Sequence, residues 1–395
     1  MAHISFENSI EILKNNLPKA KDSERVFLFD SLNRVLATDI VAKYNNPYKK
    51  TASMDGFAIR YEDINNEIKI RGKNPAGVFK YQEINENEAI KTYTGSFIPK
   101  NANTLVPIEN VEVKNDKLII KEKVPKNFAI REIGEDFKEG EILIKKGTLI
   151  RPAEIGVLAS LGESIVDVVR KAKISIITTG EEIVDLNDDY KIGQIRSSNN
   201  YTLYALAKYF GYDVYNLGIV KDDKALIKEK ILNALDDSDI VVTTGGVSVG
   251  DFDFVKEITK EFEVLFYGVN IKPGQWVMVA KANNKYIVSL PGFPYSSFVT
   301  FLLYVTLVAD AFENKTSLKK VKAILKDDFK KVVKKTQFVA VNLSFEDNKY
   351  VVDVRGKKSG SSAILTNLIK NSAIMVLKEG LYTLKAGEEV EVIIY

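Results

Sequence analysis

Apolar residues recur along the chain with two different periods, and the switches between them mark its elements. Phe6, Ile10, Leu13 and Leu17 follow helical spacing behind Ser5, a side chain suited to cap a first turn, and predict an N-terminal helix. Residues 45–141 change character. Asn, Gly and Pro punctuate short apolar runs such as Ala89–Tyr93 and Leu118–Lys121, which predicts a small β-rich module. Arg151–Leu161 reads as a helix, with Pro152 suited to its first turn. Strands and helices then alternate. Ile174–Thr178, Asp213–Val220, Asp239–Thr243 and Tyr286–Leu290 read as strands. Asn199–Phe210, ended by Gly211, Ala225–Leu235, Asp253–Phe262 and Pro294–Phe312 read as helices, and Leu226, Ile227, Ile231, Ala234 and Leu235 form one apolar stripe. This alternation predicts a doubly wound, mostly parallel α/β sheet covered on both faces. After Lys315–Lys320 the pattern returns to short strands at Phe338–Leu343, Tyr350–Val354, Ala373–Lys378 and Glu389–Ile394, a small C-terminal β domain.

Length agrees with several cores: 395 residues at roughly 100–200 per domain gives two to four domains. Composition changes the picture mainly by what is missing. With no cysteine and one histidine, His3, the chain excludes thiolate catalysis, disulfides and thiolate zinc sites. A histidine-based triad would rest on His3 alone. Chemistry therefore falls to carboxylates, lysines, hydroxyls, backbone amides or a bound ion, and carboxylates without His or Cys favour a hard cation such as Mg²⁺. A net charge of +3 gives no warrant for nucleic acid or an anionic membrane. The first residues lack a signal-peptide pattern, and the strongest apolar run, Phe298–Ala309, is shorter than the roughly 18–20 residues a membrane span needs. The expected compartment is the cytoplasm.

Ligands of an open α/β sheet bind at the carboxyl ends of its strands. Four such ends carry polar, glycine-rich loops: Thr178–Glu182, Asp222-Asp223, Thr243–Asp253 and Pro291-Gly292-Phe293-Pro294. The third runs through Gly245, Gly246, Ser248 and Gly250 into a helix, so backbone N–H groups and a helix terminus can face an anion. It is neither a Walker loop nor G-x-G-x-x-G. A tight strand-to-helix connection capped by Asp is the other reading. Glu182, Asp222 and Asp253 add acid at the same edge. Carboxylates beside a phosphate repel it unless a cation lies between, which points to phosphate–Mg²⁺–carboxylate bridging, whereas each alone reads as a cap or a solvated loop charge. Lys272, before Pro273-Gly274, is placed to neutralise phosphate oxygens or is a surface turn lysine.

At these residues the chain resembles the molybdopterin molybdenumtransferase family, MoeA in bacteria and related to the gephyrin E domain. Matching stretches include Ala52–Ala58, Thr94-Gly95-Ser96 with Pro99, Gly134-Glu135-Asp136, Arg151–Gly156, Thr179–Glu182, Gly193-Gln194-Ile195, Thr244–Asp253, Lys272-Pro273-Gly274 and Leu290-Pro291-Gly292. The resemblance implies an α/β molybdopterin-binding domain (1–18 and 169–315), a linker domain (19–44 and 142–168), a β-rich domain (45–141) and a C-terminal β domain (316–395), assembled as an elongated homodimer. The implied reaction inserts molybdate into adenylylated molybdopterin and releases AMP. Glu182, Asp222 and Asp253 are then metal-site carboxylates. Lys272, Gly245, Gly246, Gly250 and Ser248 hold phosphates beside Pro291, Gly292 and Pro294. Asp55, Thr94 and Asp136 come from the partner subunit and Ser361 from the C-terminal domain. A molybdopterin adenylyltransferase is the implied supplier of substrate.

The chain departs from the family at five positions. Gln275-Trp276 stand where Lys-Pro is common, Gly268 where some members have Lys, Phe293 where Asn is frequent and Ala340 where Arg is frequent. A less positive anion site is expected. The alternatives are a tungstate-using paralogue, a non-catalytic cofactor-binding scaffold, or a nucleotide pyrophosphohydrolase on the same α/β domain.

Overall fold

The structure, a computed structural model, describes residues 3–20, 22–77, 82–246, 254–358 and 360–395. The chain divides into two compact units, one of Val26–Leu32 with Leu36–Val166, the other of Met1–Arg25, Asn33–Val35 and Asp167–Tyr395.

The larger unit begins with helix α1 (Phe6–Asn15), whose cap Ser5 accepts from the Asn8 N–H. Its six-stranded sheet comprises β1 (Lys173–Thr179), β2 (Asp213–Val220), β3 (Ile240–Thr244), β4 (Glu263–Tyr267), β5 (Met278–Ala282) and β6 (Lys285–Leu290), in the order β2-β1-β3-β6-β5-β4. The first four in that order are parallel, and β5 and β4 add an antiparallel edge. The β4 and β5 strands were not read from the sequence. Val264-Leu265-Phe266-Tyr267 is an unbroken apolar run directly behind a predicted helix, and Met278–Ala282 is largely buried and so lacks the alternation that marks a half-exposed strand.

Alternate residues of the parallel strands enter two different cores, as a period of two requires. Ile176, Val242 and Val288 face Leu203 and Leu206 of α2 (Ser198–Tyr209) and Leu13 of α1. Ile177, Val241 and Ile287 face Ile227 and Ile231 of α3 (Lys224–Asp237) and Val255 and Ile258 of α4 (Phe254–Thr259). The last helix, α5 (Pro294–Glu313), contains a π-helical stretch at Phe301–Val305. At 20 residues it is longer than the apolar run in the sequence and passes a length-and-composition test for a membrane span, but 83% of its most apolar window is buried inside the domain. It is the core helix of the α/β fold.

Where α5 ends, Tyr212 donates its O–H to Asp310 Oδ1 at 2.6 Å, and the Ser317 N–H donates to Oδ2 at 2.7 Å. Both Tyr212 and Asp310 are buried. Tyr212→Phe leaves the carboxylate short of a charge-assisted partner, so a loss of about 1–3 kcal/mol is expected by chemical denaturation.

Five C-terminal strands pair in a ring: Thr336–Glu346, Lys349–Asp353, Lys319–Leu325, Glu389–Ile394 and Ser372–Leu377, the last returning to the first. The resulting small barrel is filled by Leu325, Val341, Val352, Met375 and Val392. A sixth strand joins it from an unexpected place. Ile271-Lys272, between β4 and β5 in sequence, pairs in parallel with Thr336–Glu346, Lys272 opposite Gln337.

The smaller unit holds its own six-stranded mixed sheet around Phe57, Ile59, Ile68, Ala89, Val106 and Leu118. Its helix Pro152–Ser160 has Pro in the first turn, as expected, and the Arg151 N–H donates to the Glu154 carboxylate at 2.9 Å.

Candidate functional site

Strand register builds one edge of the α/β sheet. Thr178 pairs with Thr244 and Thr244 with Leu290, so the loops that follow these residues leave the sheet side by side. The Gly245 N–H donates to Leu290 O at 3.2 Å. Gly245 has φ +93°, and a Cβ there would stand 2.6 Å from Thr179 O, so only glycine fits. The Gly292 Cβ position lies 3.8 Å from Gly245 Cα. Gly246, also at positive φ, gives its carbonyl to the Lys256 N–H in α4. Ser248, Gly250 and Asp253 lie outside the described residues.

Behind this edge sits a buried polar layer that the sequence reading passed over. Asn199 Nδ2 donates to Gly292 O at 2.7 Å, Thr178 Oγ1 donates to Asn200 Oδ1 at 2.7 Å, and Thr244 Oγ1 donates to Thr178 Oγ1 at 3.2 Å. The Asn200 amide nitrogen and the Ser197 hydroxyl are buried without a partner among the described residues. The available signal was Ser197-Ser198-Asn199-Asn200, a polar run opening a helix beside the loops.

The acidic groups meet at the β1 and β2 ends. The Glu181 N–H donates to Asp222 Oδ2 at 3.3 Å, and the Asp222 N–H donates to Glu181 Oε1 at 3.1 Å. Lys221 Nζ donates to Glu181 O at 2.9 Å. Glu182 folds over the same turn, its Oε2 2.9 Å from where a Gly180 Cβ would be. Burial raises the Asp222 pKa, and the charges of Glu182 and Glu181 add to the rise against the Glu181 N–H that Asp222 accepts. Glu181 and Lys221 are thus the clamp of this corner. Their place in it follows from tertiary contact and has no sequence signal. Among the described residues no three carboxylates or histidines gather as a metal site. Glu182 and Asp222 share one corner.

Lys272 and Ser361 meet in a cleft of about 180 Å³ whose lining also includes Lys357, Lys358, Ser362 and Asn367. Pro294 opens α5 at its wall, where the Tyr295 N–H donates to Ser362 O at 3.1 Å and the Tyr295 O–H to Phe338 O at 2.9 Å.

In the smaller unit, the Thr94 N–H and hydroxyl both donate to Asp55 Oδ1, at 2.8 and 2.7 Å, and these bonds hold the exposed Asp55 carboxyl below its usual pKa. Asp136 has a separate partner: Asn46 Nδ2 donates to its Oδ2 at 2.9 Å.

Three family models match the chain in order: the MoeA N-terminal region (domain I and II) at residues 4–162, the probable molybdopterin binding domain at 175–310 and the MoeA C-terminal region (domain IV) at 322–395. Fold and site thus define a multidomain protein of molybdenum-cofactor biosynthesis, built around a molybdopterin-binding α/β domain. A molybdopterin molybdenumtransferase of Staphylococcus aureus (strain Mu50) is 35% identical, covering 93% of this chain and 90% of the relative. That of Haemophilus influenzae is 30% identical over 98% of each. The crystal structure of the molybdopterin biosynthesis moeA protein from Pyrococcus horikoshii OT3 superposes over all of both chains with a TM-score of 0.84 at 30% identity. The chain belongs to the molybdopterin molybdenumtransferase (MoeA) family of enzymes.

Proposed function

We propose that the chain joins molybdate to adenylylated molybdopterin with release of AMP, supported by Mg²⁺. The observation that carries this reading is the shared sheet edge, where the Gly245-Gly246 turn stands beside the Glu182–Asp222 corner. An adenylylated pterin brings a pyrophosphate, and a glycine turn at a sheet's carboxyl edge lets backbone approach its oxygens closely. The donors at the corner are all oxygen, and burial, with the acidic charge of Glu182 and Glu181, disfavours ionised Asp222. That chemistry fits a hard divalent cation held by Glu182 and Asp222 with Asp253. Once bound, Mg²⁺ supplies neutralising charge between carboxylates and pyrophosphate. Glu181 and Lys221 keep the two acidic loops in register. Asn199 orients the Gly292 carbonyl, fixing the Pro291–Pro294 turn. The molybdate oxyanion is received beside Lys272 and Ser361.

The working form is a homodimer in which the smaller unit of the second copy presents Asp55, Thr94 and Asp136. The paired bonds from Thr94 keep Asp55 ionised and oriented. A molybdopterin adenylyltransferase supplies the pterin, and the cytoplasm is the compartment. Purified protein given adenylylated molybdopterin, molybdate and Mg²⁺ is expected to release AMP, and Glu182→Gln to slow release by roughly 10²–10³-fold, the range for losing one preorganised electrostatic group. Equal rates with Glu182→Gln would remove that residue from the site. Tight pterin binding with no AMP over hours would replace the enzyme with a scaffold, and faster turnover with tungstate would change the metal.

A further inference from the structure

The positions where family likeness leads one to expect extra cations are occupied by packing. Gly268 leaves room for the His3 ring, since a Cβ there would lie 2.6 Å from His3 Cδ2. The N-terminal segment is held against it, the Ile4 N–H donating to Gly268 O at 3.2 Å. Trp276 stacks on Tyr267 with centroids 5.7 Å apart and meets the His3 ring edge-on at 4.7 Å. The Gln275 carboxamide is bonded by Lys335 and faces His3 Nε2. Ala340 is in the cleft wall but carries no charge. Lys335 is a charged neighbour of Lys272 but is held by Gln275 and does not line the cleft.

The chain beside Ser361 brings charge of its own. Lys357 and Lys358 line the cleft with Lys272, Gln337 and Ser361. We infer that Lys357 and Lys358 are the main cationic ligands of the oxyanion in this cleft, standing in for the charge absent at positions 268, 275 and 340. The inference rests on the reading of the cleft as the oxyanion's place.

Three observations support it. First, Lys358 is clamped in place: the Lys358 N–H donates to Asn367 Oδ1 at 2.9 Å and Asn367 Nδ2 donates back to Lys358 O at 2.8 Å. Second, Lys357 is half-buried, with Nζ donating to Asn367 O and Ser372 Oγ, both at 2.6 Å. An ammonium has three donors, so one remains for an anion, at a position already fixed by the other two. Third, at about 180 Å³ the cleft is smaller than the roughly 300–1,000 Å³ of sites for larger organic ligands, which suits a tetrahedral ion and not a pterin.

The test measures AMP release by the full-length protein with molybdate varied at saturating adenylylated molybdopterin, and the reverse. Lys358→Gln, an exposed position, and Lys357→Met are each expected to raise the molybdate KM roughly tenfold or more, the loss of one charge-assisted bond, with the pterin KM unchanged. Lys349→Gln, exposed on the barrel outside the cleft, is the control for net charge and should leave both KM values alone. In parallel, titration of molybdate alone into each protein by calorimetry reads binding without turnover, and weaker binding by Lys358→Gln is expected. AMP release by the wild type with an unchanged molybdate KM in both cleft variants overturns the inference and leaves the proposed reaction standing. An equal rise in Lys349→Gln overturns it too. If the wild type releases no AMP, the proposed reaction fails, and the calorimetric difference still decides the role of the two lysines.

Discussion

Replacing Asp222 with Asn is expected to reduce cation-dependent AMP release by at least roughly 10²-fold while leaving the metal-free protein as stable as the wild type or more so. The pKa of Asp222 is raised in the folded protein by burial, Glu182 and Glu181. A carboxyl whose folded pKa exceeds its unfolded value binds its proton more tightly when folded. Its contribution to stability is present at low pH and is lost as pH rises through the folded pKa. At neutral pH the ionised group therefore works against folding. Asn removes the charge and keeps an oxygen that can accept the Glu181 N–H. Thermal melts in chelator should show wild-type stability falling as pH rises just above the ordinary carboxylate range, with that part of the fall missing in the variant. Added Mg²⁺ should raise the wild-type melting temperature more than the variant's. A variant that melts lower in chelator and still responds fully to Mg²⁺ would show Asp222 to be a structural cap.

Gly245→Ala combines a fold defect with a site defect. The backbone there has φ +93°, outside the comfortable range of an L residue, and the new methyl would meet the Thr179 carbonyl at 2.6 Å, where β1 and β3 are neighbours. Strained backbone and overpacking each cost about 1–3 kcal/mol. The strain relaxes only by moving the Gly245 N–H off Leu290 O, which shifts the edge that is to hold the pyrophosphate. Lower stability by denaturation and a higher pterin KM are both expected. Loss of stability with an unchanged KM would separate the turn from binding. Gly72→Ala, with no atom within 4 Å of the new methyl and no positive φ, is the matched control.

The parallel core was legible because its signal is local. Ile174–Thr178 and Asp239–Thr243 are β-branched runs that need no partner to be recognised; the first lies inside β1 and the second meets β3 from Ile240 to Thr243. The helical stripe of Ile227 and Ile231 declared the face that α3 buries. What escaped depends on partners remote in sequence. The β4–β5 edge is apolar without alternation, and Ile271-Lys272 is a strand only because Thr336 lies beside it. Candidate acids were readable as residues at strand ends. The bonds between Glu181 and Asp222 were not, because they span 41 positions. The expectation of a less positive anion site came from residues 268, 275 and 340 taken singly. Lys357 and Lys358, which the fold returns to the cleft of Lys272, could not be weighed in that expectation because their place depends on tertiary contact.

Lys272 belongs by sequence to the α/β domain and by hydrogen bonding to the barrel. An α/β domain copied alone into another protein would inherit the lysine but not the neighbouring chain that aligns its peptide, nor the lysines that share its cleft. Whatever grip this lysine has on an anion is therefore joint property, and gene fusions or truncations that part the two modules should lose it even when both still fold.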